Sequence, residues 1–298
     1  MRPLVAVLIV QLVIGLAFVI LVLTGALPFT GDDEPADREA RAALRVDRFD
    51  GERAFALLER QVEMGPRPAG SRTSRRLAND LRRRLPRGRF QRVPGGLRNV
   101  VGTTPGSEPS RYVVVGAHYD TKDIAGFVGA NDGAGGTAAV VELARSFRPR
   151  QLEPTIVWIL FDGEESPRGT PDSQFEEKGL RGSKVAARRY DDAEAMILLD
   201  FIADKRLRIP REANSNLDLW NRLRQSASRV GAGRAFPEAN QGAISDDHVP
   251  FIRAGVPSID LIDFDFPCWH RTCDDLSAVS ERSLDAAGET VRDLLTRL

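Results

Sequence analysis

Four short runs of branched apolar residues, each followed at once by acid or imidazole, constrain this chain more than any other feature. The runs are 112–117 (YVVVGA), 155–161 (TIVWILF), 195–199 (AMILL) and 257–262 (PSIDLI). Their length and branching predict strands, and helix-like apolar spacing over 135–147, 182–190, 217–230 and 280–298 predicts the helices around them. Ser280 and Ser283 are candidate caps of the last helix. Strands that alternate with helices favour a single α/β domain with a mostly parallel central sheet flanked by helices. Two earlier amphipathic stretches, 52–64 and 71–85, are expected to pack on one face of that sheet.

Open α/β sheets bind ligands beyond the carboxyl ends of their strands, so the residues just after each run carry the functional signal. His118 and Asp120 follow the first run, and Asp162, Glu164 and Glu165 follow the second. Asp200 follows the third, and Asp263, Asp265 and then His270 follow the fourth. Asp132 opens the helix after the first strand, inside 129–136 (GANDGAGG). These N and O donors, with no thiolate among them, suit a catalytic zinc with an open coordination position. Neighbours in an extended loop point in different directions, so one of Glu164 and Glu165 can bind the metal while the other stays free as general acid or base. Each part has a blander reading. Asp132 alone would be turn chemistry or a cap, a Glu-Glu pair usually faces solvent, and Asp246-Asp247-His248 would merely start a helix near Val249. What changes the weighing is that all three histidines of the chain, His118, His248 and His270, lie in acidic or strand-end contexts.

The N-terminus adds a second constraint. From residue 4 to 23 only Gln11 breaks an apolar run of about 20 residues, the length that crosses a bilayer. Arg2 precedes it and Asp32, Asp33 and Glu34 follow, which predicts an N-terminus inside and the remainder outside. The expected organisation is a transmembrane signal anchor over 1–27, a polar linker over 28–45 and a zinc-dependent catalytic domain over 46–298. A cleaved signal peptide is the competing reading, which would make the domain secreted rather than tethered, and a buried core helix is a third. Lys+Arg and Asp+Glu both total 42, so net charge gives no reason to expect nucleic acid as a partner. The cluster Arg75, Arg76, Arg82, Arg83 and Arg84 reads as a solvated helix face.

Seven segments resemble the family-twenty-eight zinc metallopeptidases in order and spacing: GPRPAGS from Gly65, NVVG from Asn99, HYDTK from His118, GANDGAGG from Gly129, FDGEE from Phe161, LLDFIAD from Leu198 and WHRTCDD from Trp269. The stretch SDDHVPFIRAGVPSIDLI from Ser245, followed by FPCWH, is similar to the glutaminyl-peptide cyclotransferase branch, whose members convert N-terminal glutamine to pyroglutamate and release ammonia. That resemblance implies one zinc held by Asp132, Glu165 and His270, with Glu164 as proton shuttle and Asp200 and Asp246 as buried acidic partners. It implies a substrate wall that includes Trp269, Phe266 and His248. The aminopeptidase branch of the same superfamily implies two zincs bridged by Asp132, the second held by His118 and Asp200. Either branch implies peptide or protein N-termini as substrate. The cyclase branch carries a tryptophan a few residues after its Glu-Glu pair, whereas 166–172 here hold no aromatic, leaving Phe175 as the candidate substitute. A non-catalytic peptide-binding relative and an amidohydrolase of small metabolites are the remaining alternatives. Cys268 and Cys273 bracket Trp269 and His270 at a spacing a disulfide can close in an exported domain, or they are two separate thiols.

Overall fold

The computed structural model describes residue 44 and residues 46–298. The expected membrane helix over 1–27 and the linker over 28–45, apart from Leu44, lie outside the described residues. Among the described residues no helix is long and apolar enough to cross a membrane. In chain order the elements are α1 (Gly51–Glu63), α2 (Arg72–Arg84), β1 (Arg89–Val93), β2 (Leu97–Thr104), β3 (Glu108–His118), α3 (Gly136–Ser146), β4 (Pro154–Phe161), α4 (Arg181–Arg189), β5 (Ala195–Leu199), α5 (Leu217–Val230), α6 (His248–Arg253), β6 (Ser258–Leu261) and α7 (Glu281–Leu295).

The four apolar runs become β3, β4, β5 and β6 because both of their faces are covered. In β3, Val113, Val115 and Ala117 join one hydrophobic cluster while Val114 joins another. In β4, Ile156, Trp158 and Leu160 divide from Val157, Ile159 and Phe161 in the same way. This is the period-two alternation of a strand buried on both sides. Helices α1, α2, α3, α5 and α7 supply the first cluster, with Leu58, Leu77, Leu143, Leu223 and Leu294 among their contributions. Helices α4 and α6 supply the second, with Ala186 and Phe251.

The sheet order is β1-β2-β4-β3-β5-β6, with β4, β3, β5 and β6 parallel. From β3 the chain crosses to β4 on one side and then returns to β5 on the other, which opens a crevice at the carboxyl ends of the central strands. The antiparallel pair β1 and β2 extends the sheet at one edge and is absent from the apolar pattern of the sequence. Its strand β1 (RFQRV) is largely polar, as an edge strand tends to be, and the Pro94-Gly95-Gly96 turn bends with φ of 80° and 76° at its glycines. The amphipathic stretch 71–85 forms α2, where Ser71 caps by accepting from Ser74 N at 3.0 Å and the arginines face outward from buried Leu77, Ala78 and Leu81. The expected cap of the last helix is not made: Ser280 flanks α7 without a side-chain capping bond.

Helix α7 also ties down the start of the domain, because the Glu289 carboxylate accepts from Phe49 N at 2.6 Å and from Arg48 N. One turn away Asp285 is pushed up to about 7, first by burial and then by the charges of Glu289, Asp47 and Glu281. An acid whose folded pKa exceeds its unfolded value destabilises progressively as pH rises between the two, here from about 4 to about 7. Asp285→Asn is therefore expected to raise the denaturation midpoint at pH 8 and leave it unchanged near pH 4, measured by urea unfolding at both.

Candidate active site

Every candidate ligand stands at or just past the carboxyl end of a parallel strand, or in a loop beside one. His118 ends β3, Asp200 follows β5, Glu164 and Glu165 lie in the loop after β4, and His270 lies in the loop after β6. Asp132 sits in an irregular helical turn, Ala130–Gly135, that leads into α3. This turn depends on one glycine: Gly133 has φ of 91°, and a Cβ there would stand 2.8 Å from Asp120 O and 3.1 Å from the His118 ring.

The side chains converge on Asp132. His118 Nε2 lies 3.2 Å from Asp132 Oδ1 and 3.4 Å from Asp200 Oδ1, and His270 Nε2 lies 3.3 Å from Glu165 Oε1 and 3.6 Å from Asp132 Oδ2. The groups form two triads, His118-Asp132-Asp200 and Asp132-Glu165-His270, whose ligand atoms fall within 4.8 Å of one another in each case. Buried Asp132 Oδ2 and Glu165 Oε1 make no hydrogen bond in the protein. Orphaned, buried anionic oxygens beside imidazole nitrogens are the donor set that a borderline-soft divalent ion satisfies, so the residues present fit zinc. Burial pulls the His118 imidazole down, but the carboxylates of Asp200, Asp132 and Glu164 outweigh it and hold its pKa well above the ordinary value. Burial pulls the His270 imidazole down as well, but the Glu165 and Asp132 carboxylates raise it above its ordinary value.

Glu164 belongs to neither triad. Burial, reinforced by the adjacent Glu165 and by Asp246 and Asp247 and opposed by His118, pushes its carboxyl well above the usual range. Asp246 is raised in the same way, by burial and by Asp200 and Asp247. Both line a cleft of about 260 Å³ together with Lys122, Phe175, Phe264 and Trp269. Trp269 is 41% exposed at the mouth and stacks on the His270 ring at 4.4 Å between centroids. Phe175 therefore places an aromatic ring in the wall that 166–172 leave without one.

Two expected substrate contacts are placed elsewhere. His248 does not line the cleft; α6 begins by turning its ring into the interior, where Nε2 lies 3.3 Å from Glu212 Oε2 and Nδ1 lies 3.5 Å from Asp260 Oδ2. Phe266 is buried as well, because its ring packs on Phe201 at 5.9 Å rather than on the opening.

Sequence reasoning also left supporting residues without a role. The Asp120 carboxylate accepts from Gly163 N at 2.8 Å and from Glu164 N and Glu165 N at 3.3 Å, which holds the Glu-Glu loop in place. Burial pushes it up to about 8. Lys122 Nζ pairs with Glu165 Oε2 at 2.8 Å. The signal for both was available in HYDTK, where an acid and a cation follow the strand-end histidine. Cys268 and Cys273 form a disulfide with Cα atoms 5.4 Å apart, closing the loop in which His270 adopts a left-handed φ of 52°. A residue held there costs about 1–3 kcal/mol and persists only where its surroundings over-determine it, as the closed loop does. Replacing Gly133 by alanine adds a Cβ to a left-handed position against Asp120 O. The expected outcome is a loss of about 1–3 kcal/mol in stability together with a fall in bound zinc, read by urea denaturation and by metal content.

Comparison with known proteins adds the following. The model of peptidase family M28 matches residues 99–295. The chain is 27% identical over 213 residues to the glutaminyl-peptide cyclotransferase of Dictyostelium discoideum, covering 60% of this chain and 58% of that protein, so it spans less than two thirds of that relative. Among solved structures, Porphyromonas gingivalis glutaminyl cyclase aligns with a TM-score of 0.73 at 29% identity, over 85% of this chain and 100% of that one. A leucine aminopeptidase precursor from Bacteroides thetaiotaomicron aligns at 0.76 and 27%, over 86% and 100%. A Zn-dependent exopeptidase from Parabacteroides distasonis aligns at 0.72 and 26%, over 84% and 99%.

Proposed function

The chain belongs to peptidase family M28, and on that premise we propose that it is a zinc-dependent enzyme of peptide N-termini that cyclises N-terminal glutamine to pyroglutamate. The observation that carries this reading is the cleft itself: a buried Glu164 whose carboxyl is pushed above its usual range, beside an orphaned ligand triad, with Phe175 and Trp269 in the wall. Likeness to glutaminyl cyclases in both sequence and structure supports it.

Asp132, Glu165 and His270 would hold the zinc, which would supply Lewis acidity toward the side-chain amide carbonyl of the substrate. The free α-amine attacks that carbon, the carbon–nitrogen bond of the amide breaks, and ammonia leaves. Glu164 takes the proton from the attacking amine and passes it to the departing nitrogen, a task suited to a carboxyl made more basic by burial and neighbouring acids. Any negative charge on Asp246 opposes the ionisation of Glu164. Trp269 and Phe175 supply aromatic surface in the cleft wall against which the substrate end can pack. Asp120 fixes the loop so that Glu165 and Glu164 face different partners.

A second reading, a two-zinc aminopeptidase, is favoured by the His118-Asp132-Asp200 triad and by likeness to the leucine aminopeptidase precursor. There Glu164 would deprotonate water for attack on the first peptide bond. The oxidised Cys268–Cys273 pair and the apolar run over 4–23 support work outside the cytoplasm, where disulfides persist.

The two reactions separate cleanly in one assay. Gln-initiated and Leu-initiated peptides are incubated with the protein while ammonia and free amino acid are followed. Ammonia from the first peptide with no free amino acid from either is expected; free leucine without ammonia would establish the aminopeptidase instead. Glu164→Ala should lower kcat by about 10²- to 10⁴-fold with zinc content unchanged, and full activity in that variant would remove Glu164 from the mechanism.

A further inference from the structure

The loop that presents Asp132 is buried and irregular, so its main chain must find partners outside a helical ladder. Asp132 leaves the helical region with φ of −81° and ψ of 95°, and Gly133 is left-handed. The amides of the preceding residues are then orphans of the kind that cannot stay unpaired in an interior. All of them go to one residue. Asp274 accepts Ala130 N on its main-chain oxygen at 3.2 Å, Asn131 N on Oδ1 at 2.7 Å and Asp132 N on Oδ2 at 3.0 Å.

The carbonyls of the same loop go to a second buried charge. The Arg67 guanidinium donates to Val128 O at 2.8 Å and Gly129 O at 3.1 Å, and also to Gln61 O at 3.0 Å and Gly65 O at 3.2 Å. Asp274 and Arg67 are both 0% exposed. Holding a loop with two buried charges is costly where apolar packing would serve the fold alone. Their arrangement is informative because Asp274 directly follows Cys273, the end of the disulfide-closed loop that carries His270. One short segment thus delivers His270 and grips the backbone of Asp132.

We propose that Asp274, opposed by Arg67, is a positioning residue for zinc: it locks Asp132 in register with His270, so that ligands from two separate loops form one prebuilt site. This rests on the metal reading above but not on which reaction the site performs. Asn at 274 keeps the shape but loses one of the two accepting oxygens and the charge that draws the amides inward.

The test is zinc affinity of the purified full chain, measured by competition with a chromophoric chelator, beside the melting temperature of the metal-free protein. Asp274→Asn is expected to weaken zinc by about 10- to 100-fold while remaining folded. Glu289→Gln is the control, since Glu289 performs the same task for Arg48 N and Phe49 N far from the cleft; it should lower the melting temperature and leave zinc affinity within about twofold. Unchanged affinity in Asp274→Asn, or an equal loss in Glu289→Gln, overturns the proposal by showing a structural role only. If Asp274→Asn does not fold, Arg67→Lys carries the test, with weakened zinc expected and wild-type affinity contradictory. A wild-type chain that binds no zinc removes the metal reading and this inference together, whereas zinc in the wild type with no change in the variants removes this inference alone.

Discussion

Crowded negative charge in a poorly solvated rim is the constraint on which this structure turns. Asp120, Asp132, Glu164, Glu165 and Asp200 are buried at or near the carboxyl ends of the strands, joined by buried Asp246 and Asp247 at the start of α6 and Asp260 within β6. Like charges in a low dielectric cannot all ionise, so they either bind protons or gather cations. The protein does both. Glu164 and Asp246 are driven toward the protonated form, while His118, His270 and Lys122 stand against the oxygens of Asp132, Asp200 and Glu165. Asp132 remains the exception, its pKa held below the ordinary value because the His118 bond and the two imidazole charges outweigh its burial. An anion that stays ionised at the centre, shared by two triads, is what a divalent cation requires.

The fold exists to bring that charge together. No single segment of the sequence holds more than two members of either triad; the parallel sheet assembles them by ending several strands at one rim. The crossovers through α3 and α4 lie on opposite faces, which leaves the rim between β3 and β5 uncovered for a cleft. The apolar clusters beneath supply rigidity. Irregular, left-handed positions at Phe201, Gly133 and His270 are tolerated because those clusters, the disulfide and buried hydrogen bonds fix them from several sides.

How much of this the sequence carries depends on whether the signal is periodic or directional. Periodicity names β3 to β6 and the long helices, since burial on both faces leaves an uninterrupted apolar run. The β1 and β2 hairpin escapes because its polar edge strand has no such run and its register is set by pairing. Position along the chain finds the ligands, as strand ends are fixed by the same runs. Direction of a side chain is not written in either signal. His248 lies in an acidic stretch that invites a role at the cleft, yet the helix turns it inward to Glu212 and Asp260. Phe266 turns to Phe201, whereas Phe175, nine residues after Ser166, reaches the wall because a short helical turn folds it back over the rim. The disulfide was equally a matter of loop geometry, which spacing alone left open.

The most direct measurement of the central claim is diffraction from crystals grown with zinc, collected on both sides of the zinc absorption edge. The account predicts an anomalous peak coordinated by Asp132, Glu165 and His270, with Glu164 outside its coordination sphere. Zinc located elsewhere in the chain, or no peak among these three side chains at saturating metal, would contradict it.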